Sequence, residues 1–367
     1  DGTILGQHAT VSDPVSGNQT WEKVISKNLG ADLNMFSNRL SLTADFYIRD
    51  TKGILGKGKS LPSIYGANEP QVNSNNLRTK GYELVLGWRD SFKLAGSTFS
   101  YGITGTFSDY TAEYTKCDNP SGLIGDPYVG KKYGEIWGYK VDGLFRNDEE
   151  AAEYASRVDL SKVAAGYYSA TGAYGKGVRG GDIKYLDLNG DGVVDSYDVK
   201  PIGYTNVPEI VYGFGFSLQW KAFDLSAFFQ GVAHVSFSTL TDQTQAFVGR
   251  NLKESSVFAD LYGNTWTPEN PGAKYPRMTT GAIDNNNQLS TFWMANGRYL
   301  RLKNLELGYT LPKRIANKIA MQSLRVYLSG VNLFTFSPFK LWDPDLQTGA
   351  TNYPNNRIIN LGLTIGF

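Results

Sequence analysis
Successive segments of this chain alternate apolar and polar residues with a period of two. In RLSLTADFYIR, Leu40, Leu42, Ala44, Phe46 and Ile48 share one face while Ser41, Thr43, Asp45, Tyr47 and Arg49 share the other, as a half-buried strand requires. The same parity runs through NLGADLNMF, GYELVLGW, TFSYGITGTFS, IVYGFGFSLQW, FDLSAFFQG, SLRVYLSGVNLF and the final RIINLGLTIGF. GRYLRLKNLELGYTLP departs from it, because Leu300 and Leu302 share one parity and Leu305, Leu307, Tyr309 and Leu311 the other. A β-bulge at Lys303 and Asn304 would restore one apolar face. The count is about nine strands, each near the roughly ten residues of a tilted membrane strand.

Composition agrees with a β-rich chain: 41 Gly, 23 Tyr, 19 Phe and 7 Trp stand among 367 residues, and 19% are charged. Lys and Arg total 36 against 35 Asp and Glu, so no global field gathers nucleic acid. Cys117 is the single cysteine, which rules out intrachain disulfides, and His8 and His234 lie too far apart in sequence to suggest a zinc motif. No apolar run reaches the length of a transmembrane helix, whereas membrane strands remain open. The opening DGTILGQHAT carries neither Met nor a signal-peptide pattern, so the natural start is expected upstream.

The connections between strands alternate in length. Walking back from Phe367 they are long (337–356), short (312–322), long (232–296), short (221–222), very long (109–208), short (89–97), long (50–75) and short (37–38). A water-soluble sandwich has no reason to keep every long loop at one end, whereas outer-membrane barrels have short periplasmic turns and long outer loops. The reading is therefore an all-β chain forming part of a transmembrane antiparallel β-barrel. Its lumen-facing residues include Asp32, Asp45, Arg49, Glu83 and Arg325, and Trp88, Trp220, Tyr212 and Phe367 stand near strand ends as interfacial aromatics do. Nine strands starting in an outer loop form an odd set, so further strands are expected from upstream sequence to close the barrel.

Several segments together carry a family resemblance: NLGADLNMFSNRLSLTADFYIRDTKGIL, LRTKGYELVLGW, IWGYKVDGLF, GDIKYLDLNGDGVVD, PEIVYGFGFSLQWKAFDLSAFFQG, NGRYLRLKNLELGYTLP, LRVYLSGVNLFTFSP and LGLTIGF. In this order the chain resembles the C-terminal part of the SusC-like TonB-dependent outer-membrane transporters. The resemblance implies that residues 1–367 supply the C-terminal strands of a barrel of the 22-stranded class, with a plug domain and earlier strands lying upstream. It further implies a SusD-like surface lipoprotein partner, energisation by TonB and active import of an oligomeric glycan or peptide; separately, no Ser/His/Asp or Cys/His arrangement is seen in the sequence, so no enzymatic activity is expected. A passive porin or a surface adhesin is the alternative. The closing strand, which ends on the aromatic Phe367, is expected to serve as an assembly signal.

Within the longest outer loop, 109–208, the stretch DLNGDGVVDSYD has the pattern of a calcium loop. Asp187, Asn189 and Asp191 take alternate positions, Gly192 the sharp turn, Val193 a carbonyl position, Asp195 the ninth position and Asp198 the last. Calcium takes six to eight oxygens, so a structural Ca2+ stapling this loop is expected. Asp198 in place of the usual closing Glu is expected to weaken binding or alter the closing geometry, and sodium or magnesium are the lesser options. A paired-helix sensor module is excluded by Pro201, Gly203 and Pro208, which follow directly.

GILGKGKS (53–60) and GKGVRG (175–180) match phosphate-loop patterns but lack the strand and helix those loops need. Asn147 with Glu150 forms a capping-box pattern for a short helix. For cargo, outer-loop aromatics are the candidates because planar rings stack on sugars or peptide side chains. Trp342 and Tyr353 lead, with Asp343 beside them and Trp137, Trp266 and Trp293 behind.

Overall fold
The computed structural model describes residues 14–17, 19–58, 61–62, 64, 69–119, 122, 124–164, 177–241, 244, 258–278, 283–319, 321–349 and 352–367. His8, Ser60 and Gly175, singled out above, lie outside them. In chain order come β1 (Lys23–Met35), β2 (Leu40–Lys57), β3 (Gln71–Leu94) and β4 (Ser97–Lys116), then the short β5 (Ile136–Tyr139), β6 (Val141–Leu144), β7 (Ile183–Tyr185) and β8 (Val199–Gly203). β9 (Ile210–Trp220) and β10 (Phe223–Ala233) follow, with the short β11 (Ser236–Ser238) and β12 (Met294–Asn296), and finally β13 (Tyr299–Thr310), β14 (Ser323–Phe336) and β15 (Ile358–Gly366). Helices are brief, α1 (Asp148–Arg157) and α2 (Lys313–Ala316), and among the described residues no helix is long and apolar enough to cross a membrane.

Nine strands form one antiparallel sheet in the order β1-β2-β3-β4-β9-β10-β13-β14-β15. These are the nine segments with dyad patterning. Register places like with like: Leu42 pairs with Leu33 on one side and Leu86 on the other, and Leu328 lies between Leu307 and Leu361. The resulting apolar face is exposed, with Leu328 at 51% and Leu361 at 76% accessibility. In water it would be an aggregation surface, whereas a bilayer covers such a face. The opposite face is charged. Arg325 pairs there with Asp224 and reaches Glu306 at 2.6 Å, and Thr43 donates to Asp32 at 2.6 Å.

The bulge falls at Lys303. Leu302 pairs with Phe229 and Asn304 with Phe228, so Lys303 has no partner residue opposite it, and Leu300 and Leu302 rejoin the face of Leu305 and Leu307. Turns at the short end use left-handed backbone: Phe36, Ser37 and Asn38 have φ of 54°, 58° and 64°, and Ala95 and Gly96 have 48° and 76°. A two-residue turn with both φ positive matches the right-handed twist of its strands.

Strand length departs from expectation. β2, β3 and β4 run to 18, 24 and 20 residues, and at about 3.3 Å per residue β3 reaches about 80 Å, more than twice the roughly 30 Å of hydrocarbon. Beyond the apolar band the ladder continues as extended hairpins whose backbone groups pair with one another. The connection at 50–75 therefore narrows to the interval between Lys57 and Gln71, and the one at 89–97 to Ala95 and Gly96. Gly53 to Lys57 of the phosphate-loop lookalike lie in β2.

The two longest connections fold together. Leu160, Val163, Ile183, Tyr185 and Val194 from the first pack in one core with Leu261, Tyr275 and Trp293 from the second. α1 starts where the capping pattern placed it: Asn147 accepts from the Glu150 N–H at 2.9 Å, while the Glu150 carboxylate accepts from Arg146 N–H rather than from the cap residue itself. Along the sheet, β1 and β15 each have a neighbour on one side among the described residues.

Paired substitutions test which face meets lipid. Leu328→Arg should cost about 2–4 kcal/mol in urea unfolding of the full-length barrel, against less than about 1 kcal/mol for Ser329→Arg on the charged face. Equal costs would invert or abolish the assignment.

Candidate functional site in the outer connections
The calcium-type loop is shaped by its own side chains. Asp187 accepts from the N–H groups of Gly190 at 2.7 Å and Gly192 at 2.8 Å. Asn189 accepts from Asp191 N–H, Asp191 from Val193 N–H and Asp195 from Tyr197 N–H, at 2.9, 2.8 and 2.8 Å. Asp198 is fully buried and closes the loop, accepting from the N–H groups of Leu188, Asn189 and Asp195. Gly190 and Gly192 supply φ of 77° and 84°, which side chains rarely adopt. The oxygen donors suit a hard cation, and each carboxylate keeps lone pairs beyond its amide contacts. Among the described residues, however, no three His, Cys, Asp or Glu side chains converge as a formed metal cage. The loop is anchored through its backbone as well: Asp159 N–H donates to Gly192 O at 2.7 Å, and Val194 N–H to Asp159 O at 2.9 Å.

Directly before this loop lies a buried polar joint. Asp182, inaccessible to solvent, accepts from Arg277 Nε at 2.8 Å and Nη2 at 3.3 Å, from Asn286 Nδ2 at 3.0 Å and from Arg179 N–H at 2.9 Å. Burial pushes its carboxyl up to about 7 and the Arg277 guanidinium down to about 10. The donors from Arg277 and Asn286 tie the first long connection to the second. Asn285 and Asn286 complete the tie by bonding the carbonyl and N–H of Ile183 at 2.7 and 2.8 Å. Gly181, with φ of 82°, lies under the Trp266 ring, where an added Cβ would come within 2.5 Å.

A second joint holds the 337–356 connection to the wall. Arg301, 2% exposed in β13, donates to Asp343 at 2.5 Å, Asp345 at 3.3 Å and the Thr335 hydroxyl at 3.0 Å, and Tyr299 donates to Asp345 at 2.9 Å. Asp343 is therefore committed to structure. Trp342 stacks on Phe258 with centroids 5.3 Å apart, meets Phe339 edge-on at 4.6 Å and donates its Nε1–H to Gln347 O at 2.7 Å.

The other ring candidates divide in the same way. The Trp137 ring is covered by the Lys131 ammonium at 4.2 Å, which also donates to the carbonyls of Ile124, Gly125 and Asp126, while burial lowers its pKa. Trp266 packs on Gly180 and Gly181, and Trp293 is buried with its Nε1–H on Asn286 O. Tyr353, 79% exposed, presents an open ring. Of Trp342, Tyr353, Trp137 and Trp266, the three tryptophans each have a ring face engaged by a neighbour, whereas Tyr353 is the most exposed. His234 stacks on Tyr204 at 4.4 Å, with Nδ1 3.4 Å from Glu209. Sequence reasoning missed Arg301, Asp182 and the Asn285–Asn286 pair. Their weak signals were a charge on the lumen parity at a strand's outer end, an acid after a glycine pair, and a run of Asn.

Arg301→Ala would leave Asp343 and Asp345 without their cation and should cost about 3–5 kcal/mol. Amide exchange of 338–349 in the full-length receptor should accelerate by about a hundredfold or more. Unchanged protection would show that the joint does not hold the connection.

Comparison with known proteins shows what the chain is similar to. No family model matches the chain. TonB-dependent receptor P3 of Formosa agariphila is 28% identical over 384 residues, covering 97% of this chain and 35% of that protein. TonB-dependent receptor SusC of Bacteroides thetaiotaomicron is 24% identical over 373 residues, covering 95% of this chain and 32% of that protein. The chain thus spans about a third of the length of these receptors. Among solved structures, the RagAB peptide importer in its open-open state superposes with a TM-score of 0.68 at 21% identity, over 98% of this chain and 36% of that one. The chain therefore has sequence likeness along nearly its whole length to part of these TonB-dependent receptors, and it has the antiparallel β-barrel-wall fold of the solved outer-membrane importer.

Proposed function
We propose that this chain is the C-terminal wall and outer-loop portion of an active importer that takes oligomeric glycans or peptides across the outer membrane. The observation that carries the reading is the two-faced nine-strand wall, apolar outside and charged inside, in a chain related to SusC and TonB-dependent receptors. The charged inner face is suited to a water-filled lumen or to a polar plug domain, and the open edges of β1 and β15 to the remaining strands of a 22-strand-class barrel. The folded outer connections form a surface on which a SusD-like lipoprotein would seat. TonB would supply the energy, since the wall alone has no means of driving transport uphill. Uptake of oligomer by cells expressing the full-length receptor should fall to background when TonB is deleted. Uptake that persists would favour a passive porin, and surface binding without uptake an adhesin.

For the 187–198 loop we propose a structural Ca2+ held by Asp187, Asn189, Asp191, the Val193 carbonyl, Asp195 and Asp198. The support is the donor set and the glycine turn, with the amide contacts already curling these oxygens along one short loop. Binding would require the carboxylates to draw together around the ion. Calorimetric titration of the full-length receptor should show calcium uptake that Asp187→Ala and Asp191→Ala each weaken at least about tenfold. No uptake, or uptake indifferent to both changes, leaves the loop as a backbone-anchored turn.

A further inference from the structure
A cleft of about 590 Å3 opens between the β10–β13 connection and the segment after β14. Its size falls within the roughly 300–1,000 Å3 of small-ligand sites. Phe258, Phe292 and Phe339 line it, together with the buried Trp293 and Tyr275. The rings are held from behind. Phe339 meets Phe237 edge-on at 5.0 Å, Phe258 stacks on Trp342 at 5.3 Å, and Phe292 meets Trp293 edge-on at 5.0 Å. A wall fixed before a ligand arrives loses little rotamer freedom on binding.

Three charged side chains line the same cleft: Asp260, Lys274 and Lys340. Asp260 is already committed, accepting from Lys274 and from the Tyr275 hydroxyl at 2.7 Å, contacts that hold its carboxyl below the usual range. Lys340 is exposed and has no ion-pair partner among the described residues. Among the described residues the lining therefore combines fixed aromatic walls with one cation left for a ligand anion.

Its polar complement is poor for a sugar. Among the described residues, the lining holds no Asn, Gln or Arg, and its one aliphatic hydroxyl, on Thr239, already donates to Trp293 O at 2.9 Å. Sugar hydroxyls entering here would find few neutral hydrogen-bonding partners among the described lining residues beyond these charged groups, so most would lose water without full compensation. An apolar group beside a carboxylate meets both features of the lining.

We propose that this cleft binds the carboxyl end of a peptide whose last residue is apolar, with the side chain between Phe258, Phe292 and Phe339 and the carboxylate on Lys340. The assignment rests on the import reading and narrows its cargo class. It is tested by calorimetric titration of the detergent-purified full-length receptor with three probes: Ala-Ala-Ala-Phe as the free acid, the same peptide as its C-terminal amide, and maltohexaose. The free acid should bind at least about tenfold more tightly than the amide; Lys340→Gln should erase that preference and Lys340→Arg should keep it. Equal binding of acid and amide, a preference untouched by Lys340→Gln, or displacement of the peptide by maltohexaose would overturn the assignment. Uptake measured in parallel separates the two readings. TonB-dependent uptake without the acid preference removes the cleft alone, and the acid preference without such uptake removes import alone.

Discussion
Everything in this chain depends on keeping backbone N–H and C=O groups paired where no water can reach them. A strand crossing hydrocarbon has no internal partners, so it must find them on both sides along its whole span. The antiparallel ladder from β1 to β15 supplies them, and its period of two then decides the rest of the wall. With backbone needs met sideways, alternate side chains answer to two different solvents. Leu328 can face lipid while Arg325, three residues earlier and on the opposite parity, joins Asp224 and Glu306 in the polar interior. A slip of one residue would exchange these environments, so the bulge at Lys303 acts as a register correction. Omitting one residue from the ladder returns the following leucines to the lipid side.

Beyond the apolar band the constraint changes. The outer connections are surrounded by water, so they need a core of their own to hold a defined shape, and two of them share one. Ile183 and Tyr185 of the first share this core with Tyr275 and Trp293 of the second. Charges at this joint are more costly to bury than those in the lumen. Asp182 is tolerated because four donors reach its two oxygens, and Arg301 because two carboxylates and a hydroxyl surround its guanidinium. Removing one member of such a group strands the others, so these joints act as units. They make the outer surface a folded body with fixed clefts.

The wall was legible in the sequence because its determinants are local and periodic. Alternation in RLSLTADFYIR or RIINLGLTIGF follows from the two-solvent requirement, and nine patterned segments became the nine wall strands. The parity break in GRYLRLKNLELGYTLP was informative for the same reason. Strand length was less legible. The apolar pattern ends where lipid ends, but β3 continues on hydrogen bonds that leave no hydropathy signature. The outer joints were least legible. Asp182 and Arg277 lie 95 residues apart, and nothing in either neighbourhood announces the other. Asn147 and Glu150 could be paired from sequence because their contact spans three residues.

The aromatic candidates show why residue type alone misplaces a binding surface. A Trp in an outer loop has two uses for its ring, contact with a ligand or closure of a loop core, and both draw on the same dispersion and quadrupole forces. What separates them is whether the second face is already covered. Lys131 covers Trp137, Phe258 covers Trp342, and Gly181 lies under Trp266 with no room for a Cβ. Acids divide by the same test: Asp343 has its cation, and Asp182 has its four donors. A functional group is a group left over after the fold has been satisfied, and by that criterion the rings held in place by Trp342 and Trp293 matter more for contact than those tryptophans themselves. Supporting aromatics hold their neighbours still, and the neighbours Phe258, Phe339 and Phe292 line the opening.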